Sequence, residues 1–254
     1  MNVALIDSGL GSLPTAARLR RLRPSLDLHL YLDPDNAPWG PKPTAWTEAH
    51  VVETARRAVD GGAEVVVLPC NTASVIALDA TRAALGSTPV VGTVPAIKPA
   101  ALQCDSITVW ATAATTASSY QARLIAEFAS GRTVSAVACH GLADAIDRGD
   151  LAAVSAAIAS AAARTPDDVQ GIVLGCTHYP LVADEIMAAL PPGVRMFDSA
   201  EAVAAQTLRR LDEVSSPREG HGSVSVTLSG RDGSLPDSAL RFMAGRSLAV
   251  PATL

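Results

Sequence analysis

Three features of this 254-residue chain predict an α/β protein built on parallel sheets. Short β-branched runs alternate with Ala-rich stretches of helical length. Two of the runs stop at a cysteine that is followed directly by small polar residues, Cys70-Asn71-Thr72-Ala73-Ser74 and Cys176-Thr177-His178-Tyr179-Pro180. The third feature is a repeat, because Asp7 precedes Cys70 by almost the same interval as Thr112 precedes Cys176. Each half then reads as strand, polar turn, helix and a later strand ending in Cys, which predicts two similar parallel-sheet α/β domains facing each other.

The elements follow in order. Strands are predicted at Val3 to Ile6, Leu28 to Leu32, Glu64 to Leu68, Val90 to Val91, Ile107 to Trp110, Val134 to Val137, Ile172 to Leu174 and Val194 to Phe197, each a short β-branched or apolar run. Helices are predicted at Thr44 to Asp60, Ser74 to Leu85, Ser118 to Ala129, Leu151 to Ala163 and Ala200 to Leu211. Gly61-Gly62 stops the first of these. In the third, Tyr120, Leu124 and Phe128 recur every fourth residue and make one apolar face, read as core. Pro95 and Pro99 mark the crossing between domains. The helix from Ala200 returns the chain, so residues 1–96 and 205–254 form a discontinuous first domain and 97–204 the second. The tail carries Ser229-Gly230 and a helix-like stretch from Ser238 to Gly245.

Composition narrows the function classes. Apolar content of 48% and charged content of 18% describe a soluble globular enzyme, and aromatics at 4% leave Ala, Val and Leu to build the core. A formal charge of -5 gives no basis for nucleic acid as the main partner. Arg18, Arg20, Arg21 and Arg23 form the one notable basic cluster and read as the solvated face of a helix. The N-terminus lacks a basic n-region, and the charge-free stretch Ser106 to Ala122 is too rich in Thr and Ser for a membrane span, so no membrane partner and a cytoplasmic location are expected. There Cys70, Cys104, Cys139 and Cys176 should stay reduced. The absence of a C-x-x-C pair weighs against zinc.

Free cysteine is among the most buried residue types, so position decides which thiols do chemistry. Cys70 and Cys176 sit at predicted strand-to-helix junctions, where open α/β sheets build ligand sites and where a helix N-terminus lowers a thiol pKa from about 8.5. Cys104 and Cys139 lack that setting and read as structural. Two such thiols suit the removal of a proton from one face of a carbon and its return to the other, as in a cofactor-free racemase. Asp7-Ser8-Gly9-Leu10-Gly11-Ser12 adds a carboxylate, a hydroxyl and a flexible turn, and its spacing fits neither dinucleotide nor P-loop signatures. His178, two residues beyond Cys176, is placed to assist that thiol or to be a satisfied buried His. His29, His50, His140 and His221 have no comparable company in sequence. Thr112, Thr115 and Thr116 serve as helix caps or as hydrogen-bond donors to a carboxylate.

Together, Asp7-Ser8-Gly9, Pro38-Trp39-Gly40, the two cysteine motifs, Ala111-Thr112-Ala113-Ala114-Thr115 and Ser119-Tyr120 resemble glutamate racemase, of the aspartate/glutamate racemase superfamily, from the N-terminus to about Leu211. The Cys-Thr-His-Tyr-Pro form points to the glutamate branch. The resemblance implies an active site in the cleft between the two domains and a two-base reaction with no cofactor and no metal. Cys176 would deprotonate L-glutamate and Cys70 D-glutamate, with Asp7 assisting Cys70 and His178 assisting Cys176. Ser8, Asn71, Thr72, Thr115, Thr177 and the segment Pro38, Trp39 and Gly40 would hold the substrate, a small amino acid. The D-glutamate would supply peptidoglycan for the cell wall. A homodimer is an assembly the sequence leaves open.

Four departures from the family pattern bear on this. Trp39 stands where Tyr is usual, Ser12 where Gly is usual, Asp147 where Glu is usual, and His140-Gly141 replaces Pro-Leu. A pocket narrowed by Trp39 would favour a shorter substrate, so a racemase of another acidic amino acid such as aspartate is the first alternative. A catalytically silent relative with a binding role is the second; the joint presence of Cys70, Cys176, Asp7 and His178 argues against it.

Overall fold

The β-branched runs form two separate sheets. A computed structural model describes residues 1–215 and 221–250. The chain divides into one unit of Met1–Thr93 with Ala200–Leu254 and another of Val94–Ser199. The first unit begins with β1 (Asn2–Asp7), α1 (Leu13–Leu22), β2 (Asp27–Leu32), α2 (Thr44–Asp60), β3 (Val65–Leu68), α3 (Asn71–Leu85) and β4 (Val90–Gly92). The second contains α4 (Ile97–Ala101), β5 (Ser106–Ala111), α5 (Ala113–Thr116), α6 (Ser119–Phe128), β6 (Thr133–Ala138), α7 (Leu142–Arg148), α8 (Leu151–Ala162), β7 (Gly171–Leu174), α9 (Ala183–Ala188) and β8 (Arg195–Phe197). The first unit is completed by α10 (Ala200–Val214), β9 (Val224–Leu228), β10 (Arg231–Gly233) and α11 (Met243–Ala249).

The strand orders are β10-β9-β2-β1-β3-β4 and β6-β5-β7-β8. The sequence β2-β1-β3-β4 therefore recurs as β6-β5-β7-β8, parallel throughout, with the paired strands falling at the intervals the repeat predicts. Central strands β3 and β7 are buried at every position, as parallel strands covered on both faces must be. Strand β2 alternates between buried and half-buried residues, and β6 is largely open. Every predicted strand is present to within a residue of its expected ends.

Several sequence expectations need correction. Helix α3 starts at Asn71, earlier than Ser74, because Cys70 adopts an extended N-cap conformation and the first turn closes immediately after it. The pair β9–β10 was not predicted, and β10 runs antiparallel at the sheet's edge. Its two-residue turn places Ser229 (φ 46) and Gly230 (φ 81) in the left-handed region, the conformation a tight hairpin of this twist requires. The helix-like stretch from Ser238 breaks at Phe242, which is extended (φ -105, ψ 148), into one 3₁₀ turn (Ala239–Arg241) and α11. Tyr120, Leu124 and Phe128 are half-buried, and the buried residue of α6 is Gln121. Leu124 and Phe128 do pack on the unit's core, but α6 reaches it by lying against the short α4. The arginine cluster of α1 is not simply solvated. Arg18 pairs with Glu201, Arg23 pairs with Asp212 at 2.7 Å, and Arg20 donates to the carbonyls of Leu248 and Val250, so the helix is tied to α10 and α11.

Among the described residues no helix is long and apolar enough to cross a membrane. At Gly62 (φ +94) the backbone takes the left-handed conformation that ends α2 after Gly61. Gly175 is needed for a different reason. Its N–H donates to the Trp110 carbonyl at 2.7 Å, extending the β5–β7 ladder, and a Cβ there would lie 3.0 Å from both Ala111 Cβ and that carbonyl oxygen. We therefore expect Gly175→Ala to destabilise the protein by about 1–3 kcal/mol through overpacking. A urea denaturation curve with an unshifted midpoint would show that β7 yields without cost.

Candidate active site

In each unit the polar residues of interest collect at the carboxyl ends of the strands, where the buried ladder stops and the backbone turns outward. In the first unit Asp7 is the last residue of β1 and fully buried. The Ser8 N–H donates to Asp7 Oδ1 at 2.6 Å, and the Ser8 hydroxyl lies 3.4 Å from the same oxygen. Neighbouring β3 ends at Leu68. Pro69, which has no N–H to continue a ladder, leads to Cys70, whose φ of -139 and ψ of 120 cap α3. Cys70 is 6% exposed. The junction is locked by Ser74, whose hydroxyl donates to the Leu68 carbonyl and accepts from the Thr93 N–H, both at 2.9 Å. Asn71 and Thr72, half-buried, occupy the first turn.

The loop after β2 brings Pro38-Trp39-Gly40 to the same end. Pro38 and Gly40 are exposed, while the Trp39 indole is buried in the core cluster that also contains Ile6, Val51, Leu68 and Cys70. Its Nε1–H donates to Asp33 Oδ2 at 2.9 Å. A Cβ on Gly40 would lie 3.9 Å from Thr72 Oγ1, so this backbone runs beside the first turn of α3. The idea that the Trp39 ring narrows a pocket loses its basis, because the ring fills the interior of the unit.

In the second unit Thr112 caps α5, its hydroxyl accepting the Thr115 N–H at 3.3 Å and lying 3.0 Å from Thr115 Oγ1. Cys176 is 8% exposed. Contrary to the sequence expectation, no α-helix begins directly after it, and α9 starts only at Ala183. The chain enters a 3₁₀ turn (Tyr179–Val182), so the N-terminal helix field available to Cys70 has no counterpart at Cys176. An imidazole takes its place. His178 Nδ1 lies 3.7 Å from Cys176 Sγ, and Nε2 lies 3.0 Å from Asp147 Oδ1. Burial pulls the His178 pKa down, but the Asp147 carboxylate and the Cys176 thiol outweigh it and hold the ring well above the ordinary histidine value. Thr177 is half-buried beside it.

The remaining two thiols are also buried. Burial, with Cys176 nearby, pushes Cys139 up to about 12, and its Sγ–H points at the Val137 carbonyl. Cys104 is 2% exposed beneath Gly171, against Arg195. Sequence reasoning assigned no role to Asp147, and it passed over Asp33 and His50. His50, read as lacking company, lies 2.9 Å from Asp33 Oδ2 and stacks on Trp46. His29 likewise stacks on Tyr31 and bonds Thr227. The one available signal was Asp147 itself, an acid where the family pattern also has one.

Each unit thus carries a buried cysteine just past a central strand, one beside the strand end that bears Asp7 and the other against a carboxylate-bound imidazole. That defines a class of α/β protein in which a parallel-sheet layer, used twice, ends each time in a buried thiol with a polar neighbour. A family model described as Asp/Glu/Hydantoin racemase matches residues 16–207. A glutamate racemase from Herpetosiphon aurantiacus is 35% identical over 239 residues, covering 90% of this chain and 92% of that protein. One from Sphingopyxis alaskensis is 38% identical over 221 residues, covering 83% and 82%. Among solved structures, Escherichia coli glutamate racemase in complex with L-glutamate and the activator UDP-MurNAc-Ala superposes with a TM-score of 0.82 at 29% identity, covering 94% of this chain and 91% of that one. The chain belongs to the Asp/Glu/Hydantoin racemase family.

The Asp147–His178 pair has a pH signature. Because the folded-state pKa of His178 is raised, its contribution to stability is fully present below the unfolded value of about 6.5 and is lost as pH rises through the folded-state pKa. Asp147→Asn should move the His178 titration, followed by imidazole NMR, down toward the ordinary value. It should also cost most stability in acid and progressively less above the wild-type pKa. A His178 titration unmoved by the substitution would show that another group holds the proton.

Proposed function

We propose that this chain interconverts L- and D-glutamate with two cysteine acid–bases and without pyridoxal phosphate, the two units serving as its domains. The observation that carries the reading is the matched placement of Cys70 and Cys176, each buried at the carboxyl end of a central strand and each with its own polar neighbour. In the L-to-D direction the Cys176 thiolate takes the α-proton. The Cys70 thiol then delivers its proton to the opposite face, leaving Cys70 as thiolate and Cys176 as thiol. The reverse direction exchanges the roles. A protonated His178 ring faces the Cys176 sulfur through Nδ1 while Nε2 is held by Asp147, which places a donor and a positive charge beside the sulfur that takes the proton. Asp7 supports Cys70 from the adjacent strand.

The negative charge that gathers on the α-carboxylate as the proton leaves requires oriented donors. Ser8, Asn71, Thr72, Thr115, Thr177 and the backbone N–H groups of Trp39 and Gly40 supply them, with Pro38, which has no N–H, shaping the segment, and together they would also hold the side-chain carboxylate and the amine. Support for glutamate comes from the named activity of the relatives and from the L-glutamate in the Escherichia coli structure. We assign the D-glutamate product to peptidoglycan synthesis.

Racemisation of L-glutamate in D₂O, with circular dichroism and α-proton exchange as readouts, tests the reading. Cys70→Ala and Cys176→Ala should each abolish full racemisation, since every turnover uses one acid and one base. Cys104→Ala and Cys139→Ala should keep activity and lose roughly 1 kcal/mol of stability. Wild-type turnover in either of the first pair would overturn the assignment.

A further inference from the structure

Asp33, the first residue beyond β2, is 4% exposed and its carboxylate accepts four side-chain hydrogen bonds. Oδ2 receives the Trp39 indole N–H and the His50 Nε2–H, both at 2.9 Å. Oδ1 receives Asn36 Nδ2–H at 2.9 Å and the Ser229 hydroxyl at 2.8 Å. Its backbone carbonyl also closes the turn by accepting from the N–H groups of Asn36 and Ala37. A carboxylate offers about four lone-pair sites, so all of them are in use and none remains for a substrate. Those bonds hold the carboxyl well below the usual carboxylate range against the opposing effect of burial.

The four donors come from three places. Asn36 and Trp39 belong to the loop, His50 to α2, and Ser229 to the strained turn of the β9–β10 hairpin, where the Asp35 N–H also bonds Ser229 Oγ. The loop is therefore fixed at Trp39 from both sides, and the next residue, Gly40, is the one that runs beside Thr72. We propose that Asp33 is a positioning residue that sets the Pro38–Trp39–Gly40 segment against the first turn of α3, with His50 and the Ser229 turn as its supports. This rests on the reading above, that the segment and Thr72 meet the substrate. An amide cannot replace the carboxylate, because its NH₂ would face donors and leave two of them without an acceptor. On this account the C-terminal hairpin, which contributes no residue to the proposed chemistry, controls substrate affinity through one hydroxyl.

Steady-state kinetics on L-glutamate separate positioning from simple stabilisation. Asp33→Asn should raise KM by about tenfold with kcat nearly unchanged, and Ser229→Ala should raise it by roughly threefold, the pattern of lost ground-state binding. Val226→Ala, a buried β9 residue outside the cluster, serves as the control for destabilisation. It should lower Tm at least as far as Ser229→Ala and leave KM alone. The Trp39 indole ¹H–¹⁵N resonance should shift in Asp33→Asn and Ser229→Ala and stay fixed in Val226→Ala. If Asp33→Asn does not fold, Ser229→Ala against Val226→Ala decides. An inactive wild type would overturn the reading of function. An active wild type whose KM ignores Asp33→Asn and Ser229→Ala, or follows Tm loss in Val226→Ala as well, would overturn the positioning role.

Discussion

In both units the architecture depends on burying two central parallel strands on both faces, β1 with β3 and β5 with β7. A parallel ladder of this kind admits a polar side chain along its length only where it finds a partner, as Thr108 of β5 does in Ser135, and Val65 to Leu68 and Gly171 to Leu174 are wholly apolar and wholly buried. Polar chemistry is displaced to the strand ends. The carboxyl ends gain most, because each opens into a turn whose N–H groups are not yet committed to a ladder. Asp7, Cys70, Thr112 and Cys176 all occupy that position. The core sets where a thiol can be reactive, and the residues that follow set how.

The repeat makes the comparison between units instructive. The same strand order is used twice, yet the two thiols are given different surroundings. Cys70 caps a fifteen-residue helix and has Asp7 on the neighbouring strand. Cys176 is followed by a 3₁₀ turn that separates it from α9, and it lies against His178, itself fixed by Asp147 from α7. The two halves share their topology and differ in what surrounds the thiol.

Much of this was readable from sequence because the signals were local. Period, β-branching and Gly61-Gly62 marked the strands and the first long helix, and the Cys motifs marked the strand ends. What escaped depended on contacts distant in the chain. Asp33 looks like any turn aspartate until His50 and Ser229 are folded onto it. The arginines of α1 look solvated until α10 and α11 arrive from the other end of the chain. The β9–β10 hairpin was missed although Val224–Leu228 alternates apolar and polar residues, because its partner strand is only three residues long and its turn relies on a serine in a conformation more usual for glycine. Trp39 was legible as a motif residue, but its burial could not be read from the three-residue motif.

The unequal surroundings of the two thiols carry a thermodynamic consequence for a racemase. Mirror-image substrates have equal free energies, so kcat/KM in the two directions must be equal at every pH, however differently the two sides titrate. The Asp147–His178 pair belongs to one side only. Its titration cannot make one enantiomer the preferred product. It can raise or lower kcat/KM for both hands together, and it can divide that shared value differently between turnover and saturation for each hand.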